Sequence, residues 1–417
     1  MVREDIYILG ENAQQAARKL AVINSKTKDE ALKKMAQALL QKSGEILEAN
    51  QIDMENGKKN GLSQTKLDRL LLTEERLEDM ADGLNTLAAL PDSVGEIDSM
   101  WKRPNGLEIG RINVPIGVIG IIYEARPNVT VDAAGLCLKT GNAAILRGGS
   151  EAFNSNQTLT WIIAHAAETA GIPEGAIQLV ETTEREAVDV MLGMNKYLDV
   201  LIPRGGAGLI QHVVNNATVP VIETGVGNCH TYVDKDADLE KALNIAVNAK
   251  VQRPGVCNAM ETLLVHREVA EQFLPQLAQR MEQNGVEVRG CDETRKIIPG
   301  INLAEEEDWA SEYLDLILAV KVVDNFQEAI EHIHAYGTKH SEAIITENYT
   351  SARQFQKIID AAVVYVNAST RFTDGFKFGF GAEIGISTQK LHARGPMGPE
   401  QLTTYKYLVF GNGEVRE

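Results

Sequence analysis

The 417-residue chain is poor in aromatic residues, in cysteine and in basic residues, and these shortages exclude several classes of protein. Only four cysteines are present, with no C-x-x-C and no Cys/His metal spacing, so we expect thiols in a reducing compartment and no metal centre. The 58 acidic residues outnumber the 41 basic ones, and the net charge of −17 offers no long-range attraction to nucleic acid or anionic lipid. An anionic ligand must therefore be bound locally, by arginines, lysines or backbone N–H groups.

Long apolar runs are also missing. No stretch approaches the roughly 18 apolar residues of a membrane helix. The start of the chain has Glu4 and Asp5 where a secretory leader needs a basic and then an apolar run. We therefore expect no membrane association and a cytoplasmic location. At about 150 residues per domain, the length indicates two or three domains.

The first 90 residues have helical periodicity. Thr27 and Glu30 have the spacing of a capping box. The apolar residues behind them recur at intervals of three and four: Leu32, Met35, Ala36, Leu39 and Leu40. Residues 100–111 predict a hairpin, because Pro104-Asn105-Gly106 separates two short alternating runs. The last predicted strand, residues 404–410, can pair with this hairpin.

Between residues 114 and 222, apolar runs alternate with helical segments. The predicted strands are residues 114–123, 143–146, 176–180, 198–202 and 219–222. This alternation predicts a doubly wound parallel α/β sheet, whose ligands bind at the carboxyl ends of the strands. Two of these ends are rich in glycine, Arg147–Ser150 and Pro203–Gly208. Neither matches a G-x-G-x-x-G or P-loop signature, so phosphate binding and an ordinary tight turn are equal readings.

A second α/β unit follows, and it contains the most suggestive thiol. Asp236 or Asp238 can begin its first helix, and Cys257 follows Pro-Gly in the connection to the next strand. Backbone N–H groups in such a connection, with Arg253 nearby, would favour a nucleophilic thiolate and could stabilise an oxyanion. The alternative is that Cys257 is a small buried apolar residue.

Other candidates are weaker individually. Cys229 is the only rival thiol, since Cys137 lies in an apolar helical stretch and Cys291 lies near charged residues. Glu223, at a strand end, is either a base or a structural hydrogen-bond acceptor. Three cations in polar loops can bind an anion or simply be solvated: Arg126, Arg371 and Lys377.

Taken in order, several segments resemble the aldehyde dehydrogenase superfamily. They are residues 114–120 (VPIGVIG), 123–128 (YEARPN), 139–142 (KTGN), 223–225 (ETG) and the Cys257 loop. Longer motifs look like the gamma-glutamyl phosphate reductase family: 253–259 (RPGVCNA), 373–376 (TDGF), 379–388 (GFGAEIGIST) and 392–398 (HARGPMG). The resemblance covers essentially the whole chain.

The resemblance implies an aldehyde-dehydrogenase-like α/β fold with three parts. Residues 1–99 and 112–225 would form a doubly wound dinucleotide-binding domain, and residues 226–390 an α/β catalytic domain. Residues 100–111 and 391–417 would form a small β oligomerisation arm. A homo-oligomer is therefore expected.

The resemblance also implies a reaction. NADPH would reduce L-glutamyl 5-phosphate to L-glutamate 5-semialdehyde and phosphate, the second step of proline synthesis from glutamate. The Cys257 thiolate would displace phosphate to form a thioester, and hydride transfer would give a thiohemiacetal that collapses to the aldehyde. The enzyme could be functionally coupled to a glutamate 5-kinase, which makes the substrate.

Family position implies the roles of the site residues. Cys257 would be the nucleophile, with Glu223 and Asn128 as the other catalytic residues. The cofactor residues would be Arg147 and Gly148 at the adenosine ribose, Arg204, Gly205 and Gly206 at the pyrophosphate, and Thr224, Gly225 and Glu312 around the nicotinamide and its ribose. A cation at position 147 suits the 2′-phosphate of NADP. The substrate phosphate would meet Arg126, Arg371 or Lys377.

Two other functions are compatible with the same residues. An acyl-transferring aldehyde dehydrogenase would use a CoA thioester in place of an acyl phosphate, and a choice between phosphate and CoA as cosubstrate separates the two. A cofactor-binding scaffold with an inert thiol would leave Cys257 unreactive toward alkylation.

Overall fold

The computed structural model describes residues 2–416, and the chain divides into two compact units. Unit 1 contains the chain up to Thr224, together with Gly379–Gly385 and the segment from Met397 onward. Unit 2 contains Gly225–Phe378 and Ile386–Pro396. The chain therefore crosses from one unit to the other several times near its end.

The elements up to Thr224 alternate between helix and strand after a helical start. In chain order they are α1 (Val2–Leu20), α2 (Ser25–Gln41), α3 (Ser43–Lys59), α4 (Gln64–Leu70), α5 (Glu74–Ala89), β1 (Ile97–Lys102), β2 (Glu108–Pro115), β3 (Val118–Tyr123), α6 (Pro127–Lys139), β4 (Ala143–Arg147), α7 (Phe153–Glu168), β5 (Ile177–Leu179), α8 (Glu186–Leu192), β6 (Val200–Arg204) and α9 (Ala207–Asn216).

The elements of the second half follow the same alternation. They are β7 (Cys229–Val233), α10 (Leu239–Val251), β8 (Met260–His266), α11 (Arg267–Gln283), β9 (Glu287–Gly290), α12 (Asp292–Ile297), β10 (Asn302–Leu303), β11 (Ile317–Val323), α13 (Phe326–Tyr336), β12 (Ser341–Ile345), α14 (Tyr349–Ile358), β13 (Val363–Val366), β14 (Gly385–Ser387), β15 (Gly395–Met397) and β16 (Thr403–Phe410). Short 3₁₀ turns occupy Ser150–Ala152, Glu306–Ala310, Thr370–Phe372 and Glu400–Leu402.

Helix α2 buries the apolar face that the sequence predicts, but it begins earlier than expected. Leu32, Met35 and Leu39 are fully buried. The N-cap is Asn24, whose side chain accepts from the Thr27 N–H at 3.0 Å. The predicted capping box is therefore wrong, because Thr27 already lies inside the first turn of the helix.

Unit 1 contains a four-stranded parallel sheet in the order β5-β4-β3-β6. Strands β3 and β4 are buried at every position, as expected for strands covered on both faces. The predicted strand 114–123 is split at Gly117, which has φ +133°. The predicted strand 219–222 is only an isolated bridge between Leu201 and Val221, because Pro220 has no N–H with which to continue a ladder.

An antiparallel sheet of three strands, which we call the arm, also belongs to unit 1. Its order is β1-β2-β16. The hairpin between β1 and β2 turns at Arg103–Gly106, as the sequence predicts, and Gly106 supplies the φ of +103° that the turn requires. Strand β16 pairs with β2 from Thr403 to Phe410, which confirms the predicted pairing of the terminal strand.

Unit 2 is built on a seven-stranded sheet in the order β10-β9-β11-β8-β7-β12-β13, with every pair parallel. Its core is mainly aliphatic, with Leu263 and Leu277 among its fully buried residues, and also contains the buried ring of Phe273. Asp238 caps α10 by accepting from the N–H groups of Glu240 and Lys241, so it is this aspartate that begins the helix. Helix α10 ends at Val251, and the chain then enters the Cys257 loop.

Within residues 2–416, none of the helices combines the length and the apolar character needed to cross a bilayer. The same residues hold no group of three or more His, Cys, Asp or Glu side chains placed to bind a metal ion.

Candidate active site

Cys257 lies in unit 2, in the connection between α10 and β8. A turn from Val256 to Ala259, closed by a backbone hydrogen bond of 3.0 Å, places the thiol just before the amino end of the strand. Cys257 is half-buried, whereas Cys137 and Cys229 are fully buried. Burial raises the pKa of Cys137 to about 12 and that of Cys229 well above its ordinary value. Of these three thiols, only Cys257 has surface that a substrate can reach.

The two ends of the Cys257 loop are joined by a buried ion pair. Lys250, in the last turn of α10, is paired with Glu261 of β8, and both side chains are completely buried. The other oxygen of the Glu261 carboxylate accepts from the Leu314 N–H at 3.3 Å. Burial raises the pKa of Glu261 to about 7 and lowers that of Lys250. The pair connects α10, β8 and the segment that carries Glu312.

Gly227 passes the Cys257 backbone at very close range. A Cβ atom at this position would lie 1.5 Å from the Cys257 carbonyl oxygen and 2.7 Å from its Cα. The Gly227 N–H donates to Glu312 Oε1 at 2.7 Å. Burial raises the pKa of the Glu312 carboxyl, although this hydrogen bond opposes the shift. Glu312 is one of the predicted cofactor residues, whereas Gly227 is not among the predicted site residues, because it is next to Cys257 only in the folded chain.

Cys229 contacts the backbone of the Cys257 loop. Its Sγ is 3.2 Å from the Cys257 carbonyl oxygen and 3.6 Å from His340 Nδ1. The Cys229 thiol is therefore part of a buried polar cluster that also contains Ser341 and Thr373. Its contacts are those of a structural hydrogen-bonding group.

Arg371 is hydrogen-bonded to the Cys257 loop. It lies in the 3₁₀ turn after β13, and its Nε donates to Gln252 Oε1 at 2.9 Å. Partial burial lowers the pKa of Arg371, the nearby Arg253 lowers it further, and the negative charges of Asp374 and Cys257 raise it. Arg371, one of the three cations predicted for the phosphate, is therefore near enough to Arg253 and to Cys257 to interact with each of them electrostatically.

The other two cations predicted for the phosphate are Lys377 and Arg126. Lys377 is exposed in unit 2, where its N–H bonds the Asp374 carboxylate at 3.1 Å. Arg126 is half-buried in unit 1, at the N-cap position of α6.

In unit 1, the carboxyl ends of β3 and β6 lie side by side and bring several predicted cofactor residues together. Arg204 ends β6, and the exposed Gly205 and Gly206 lead into α9. The Gly206 N–H donates to Glu124 Oε2 at 2.9 Å. Thr224 is buried and donates from Oγ1 to the Pro203 carbonyl at 2.9 Å. Glu124 was not singled out by the sequence, although its place directly after β3 was a usable signal.

Arg147 and Gly148 lie at the neighbouring strand end, after β4. The Arg147 guanidinium donates to the carbonyls of Gly148, Thr183 and Glu184 at 2.9, 3.2 and 3.3 Å. Burial lowers its pKa, the Glu151 carboxylate opposes this shift, and the nearby Arg185 adds to it. Arg185 was not among the residues predicted for the cofactor, and it is a second cation at this strand end.

The remaining predicted site residues are Asn128, Glu223 and Gly225. Asn128, exposed in the first turn of α6, donates its amide to Asp132 at 3.0 Å. Removal from solvent raises the pKa of Asp132 to about 6, and Asn128 and Arg204 oppose the shift. Glu223 is half-buried, next to Thr224 at the end of this segment of unit 1. Gly225 begins unit 2 and donates its N–H to the Ile386 carbonyl at 2.9 Å.

Comparison with known proteins gives matches along the whole chain. A profile of the aldehyde dehydrogenase family matches residues 2–314. Gamma-glutamyl phosphate reductase of Moorella thermoacetica is 68% identical over 413 residues, which cover 99% of both chains. The protein of the same name from Halothermothrix orenii is 62% identical over 416 residues and covers 100% of both. The crystal structure of gamma-glutamyl phosphate reductase from Thermotoga maritima matches with a TM-score of 0.97 at 52% identity, over 99% of this chain and 100% of that chain.

Proposed function

Because this chain belongs to the gamma-glutamyl phosphate reductases of the aldehyde dehydrogenase family, we propose that it reduces L-glutamyl 5-phosphate to L-glutamate 5-semialdehyde and releases phosphate. This is the second step of proline synthesis from glutamate. Its substrate is a reactive acyl phosphate, which must be supplied where it is used. We therefore propose a cytoplasmic reaction that is functionally coupled to a glutamate 5-kinase.

Cys257 is the proposed nucleophile. Its thiolate attacks the acyl carbon of the substrate, and the tetrahedral adduct expels phosphate and leaves a thioester on Sγ. NADPH, when bound, supplies the hydride that reduces this thioester. The oxyanion of the resulting thiohemiacetal re-forms the carbonyl, the C–S bond breaks, and the aldehyde departs from the regenerated thiolate. Asn128 is the proposed oxyanion donor and Glu223 the proposed base.

The arginine that is hydrogen-bonded to the Cys257 loop is the observation that carries this proposal. Arg371 Nε donates to Gln252 Oε1 at 2.9 Å, and both Cys257 and the loop residue Arg253 are near enough to influence its pKa. A phosphate dianion that leaves the acyl carbon needs such cations, since a net charge of −17 repels it from the protein as a whole. Arg126 and Lys377 are further candidates for the substrate phosphate and the glutamate carboxylate.

The strand ends of unit 1 fit a dinucleotide. Gly205, Gly206 and Gly208 are exposed around the start of α9, where backbone N–H groups can meet a pyrophosphate beside Arg204. At the next strand end, Arg147 and Arg185 supply positive charge for the 2′-phosphate of NADP. Because Nη1 and Nη2 of Arg147 already bond backbone carbonyls, we expect its charge to matter more than a direct hydrogen bond. Thr224, Gly225 and Glu312 are proposed near the nicotinamide and its ribose, and Gly148 near the adenosine ribose.

The test runs the reaction backwards, from glutamate semialdehyde, NADP and phosphate, with phosphate titrated from zero. We expect NADPH formation to require phosphate and to be absent in Cys257→Ala. Arg371→Ala should raise the KM for phosphate about tenfold, since a point charge at ~4 Å contributes on the order of 1 to 4 kcal/mol. The KM for NADP should stay within about twofold, a difference of ~0.4 kcal/mol.

Arg353→Ala is the matched control, because Arg353 is an exposed arginine on α14 of the same unit. A rate that does not depend on phosphate means that water releases the thioester and contradicts the proposal. Replacement of phosphate by CoA at an equal rate favours an acyl-CoA reductase instead.

A further inference from the structure

Asn258 directly follows the proposed nucleophile and is 5% exposed. Its Nδ2 donates to the Thr373 carbonyl at 2.7 Å, and its own carbonyl accepts from Thr370 Oγ1 at 2.8 Å. Thr370 and Thr373 are fully buried and flank Arg371. Asn258, the residue after Cys257, is thus hydrogen-bonded to the residues on both sides of Arg371.

The same turn is also held from the other end of the loop. Arg371 Nε donates to Gln252, five residues before Cys257. Within the turn, the Arg371 N–H bonds Ser369 Oγ at 3.3 Å, and the Thr373 N–H bonds the Thr370 carbonyl at 3.0 Å. Arg371 therefore has its backbone fixed by Asn258 and its guanidinium directed by Gln252. These bonds set its distance from the thiol.

The oxygen of the Asn258 side-chain amide indicates that an asparagine is not the residue that would best stabilise the fold at this position. Its Oδ1 is buried and has no hydrogen-bond partner among residues 2–416. An unsatisfied buried acceptor costs stability, whereas an apolar side chain at the same place carries no such cost. Asn258 thus orients the turn, and its unsatisfied oxygen lowers the free energy of unfolding.

We propose that Asn258 is a positioning residue that holds Arg371 at the distance from Cys257 at which phosphate leaves and returns. The proposal rests on the function given above, in which Arg371 binds the phosphate. Asn258 does not touch the reacting atoms in this account. It acts through the backbone of the 370–373 segment.

The experiment is a double-mutant cycle in the phosphate-dependent reverse reaction. Asn258→Ala should raise the KM for phosphate about fivefold to tenfold, the effect of one lost buried hydrogen bond, with the KM for NADP unchanged. In the Arg371→Ala background, Asn258→Ala should have no further effect on the KM for phosphate, because the arginine through which it acts is gone.

Thr370→Val provides a second route if Asn258→Ala folds poorly. It removes only the hydroxyl that donates to the Asn258 carbonyl and should raise the KM for phosphate about threefold. Thr262→Val is the matched control, since Thr262 is fully buried in β8 and its hydroxyl has no partner in the described part of the chain. It should leave the KM for phosphate unchanged.

Three results overturn the proposal, and the first two leave the proposed function unaffected. If Asn258→Ala and Thr370→Val leave the KM for phosphate unchanged while Arg371→Ala raises it, Asn258 has no positioning role and the function stands. If Asn258→Ala has its full effect in the Arg371→Ala background, it acts independently of Arg371. If Arg371→Ala itself has no effect, the phosphate role of Arg371 fails and the positioning role fails with it.

Discussion

At the scale of single residues, the absence of a side chain at position 227 is as important as the thiol at position 257. A Cβ on Gly227 would lie 1.5 Å from the Cys257 carbonyl oxygen, far inside van der Waals contact. Gly227→Ala must therefore displace the Cys257 backbone. We expect kcat to fall about 100-fold or more, since a misplacement of ~1 Å at a reacting group can cost that much. Steady-state kinetics and the reactivity of Cys257 toward iodoacetamide measure the loss.

Gly255→Ala is the control for this prediction. Gly255 belongs to the same loop, but a Cβ there would have its nearest neighbour, the Leu314 carbonyl oxygen, at 3.6 Å, which is an ordinary contact. This variant should keep kcat within about threefold of the unchanged protein, a barrier change below ~0.7 kcal/mol. Equal kcat values for the two variants would show that Gly227 does not set the position of the thiol.

Residues of the site differ in how far the sequence could identify them. Cys257 and Arg371 lie in or beside motifs whose letters resemble a known family, so they could be named from the sequence. Asn258 and Glu124 also lie in such motifs, but their contacts, like those of Gly227, could not be predicted, because they join residues 30 to more than 100 positions apart. Periodicity and motif spacing carry no information about such pairs. Only the folded backbone brings them together.

At the scale of elements, helix α13 buries a histidine that cannot accept a proton. The ring of His332 packs against Trp309, His230 and Tyr336, with centroids 5.4, 5.5 and 4.6 Å away. Burial, together with the smaller effects of His230 and Lys321, lowers its pKa to about 2. As pH falls below the ordinary value of about 6.5, the unfolded chain therefore binds a proton that the folded chain does not bind. The titration of His332 has no effect on stability above that pH and progressively destabilises the fold below it.

His332→Phe should reduce the acid sensitivity of the fold. Both ring nitrogens of His332 lack partners among the described residues, so phenylalanine loses no hydrogen bond and keeps the aromatic contacts. Between pH 6.5 and 5 the histidine costs about 2 kcal/mol of unfolding free energy, or ~1.4 kcal/mol for each pH unit. Thermal unfolding at pH 7 and pH 5 should thus show a smaller drop in Tm for the variant. His165→Phe, at an exposed position on α7, should keep the original drop, and an equal drop in both variants contradicts the assignment.

Most elements follow from their apolar patterns, and the misplaced boundaries have local causes. Strands β3 and β4 are predicted because strands buried on both faces are almost wholly apolar. The capping box is misplaced because Asn24 competes with Thr27 for the N-cap, and an apolar pattern does not rank two polar residues so close together. Residues 219–222 are apolar enough for a strand, but Pro220 limits their pairing to one bridge. Side-chain pattern thus predicts the element, while single hydrogen-bonding groups decide where it ends.

At the scale of the whole molecule, the aldehyde-dehydrogenase-like fold that the motifs imply is confirmed by the family match and the structural match. The acidic balance of the chain leaves the binding of phosphate to a few local cations.

The arm has a different property, an exposed set of large apolar side chains. These are Ile97, Met100 and Trp101 on β1, and Tyr405, Tyr407, Val409 and Phe410 on β16. Both β1 and β16 are edge strands of this sheet in the described part of the chain.

We expect the arm to join copies of this chain into a homo-oligomer. Unpaired edges and exposed aromatic residues are a liability for a monomer, and natural proteins cover them. Trp101 and Tyr407 contact each other edge to face, with ring centroids 6.2 Å apart, and both are at least 40% exposed. Exposed aromatic side chains that contact one another across two strands are typical of the centre of a protein–protein interface.

Tyr407→Lys should therefore weaken self-association, since it places a charge that must lose its water in a surface that would otherwise be apolar. In a symmetric interface the same residue is used twice, so one substitution changes both halves of the contact. We expect the dissociation constant to rise at least about 30-fold, equivalent to ~2 kcal/mol, as measured by sedimentation velocity over a range of protein concentrations. Tyr349→Lys on α14 is the control, because Tyr349 is 78% exposed and lies outside the arm. If the wild-type chain is monomeric and fully active at micromolar concentration, this interface does not form. The edge strands of the arm would then remain exposed to solvent, with no second copy covering them.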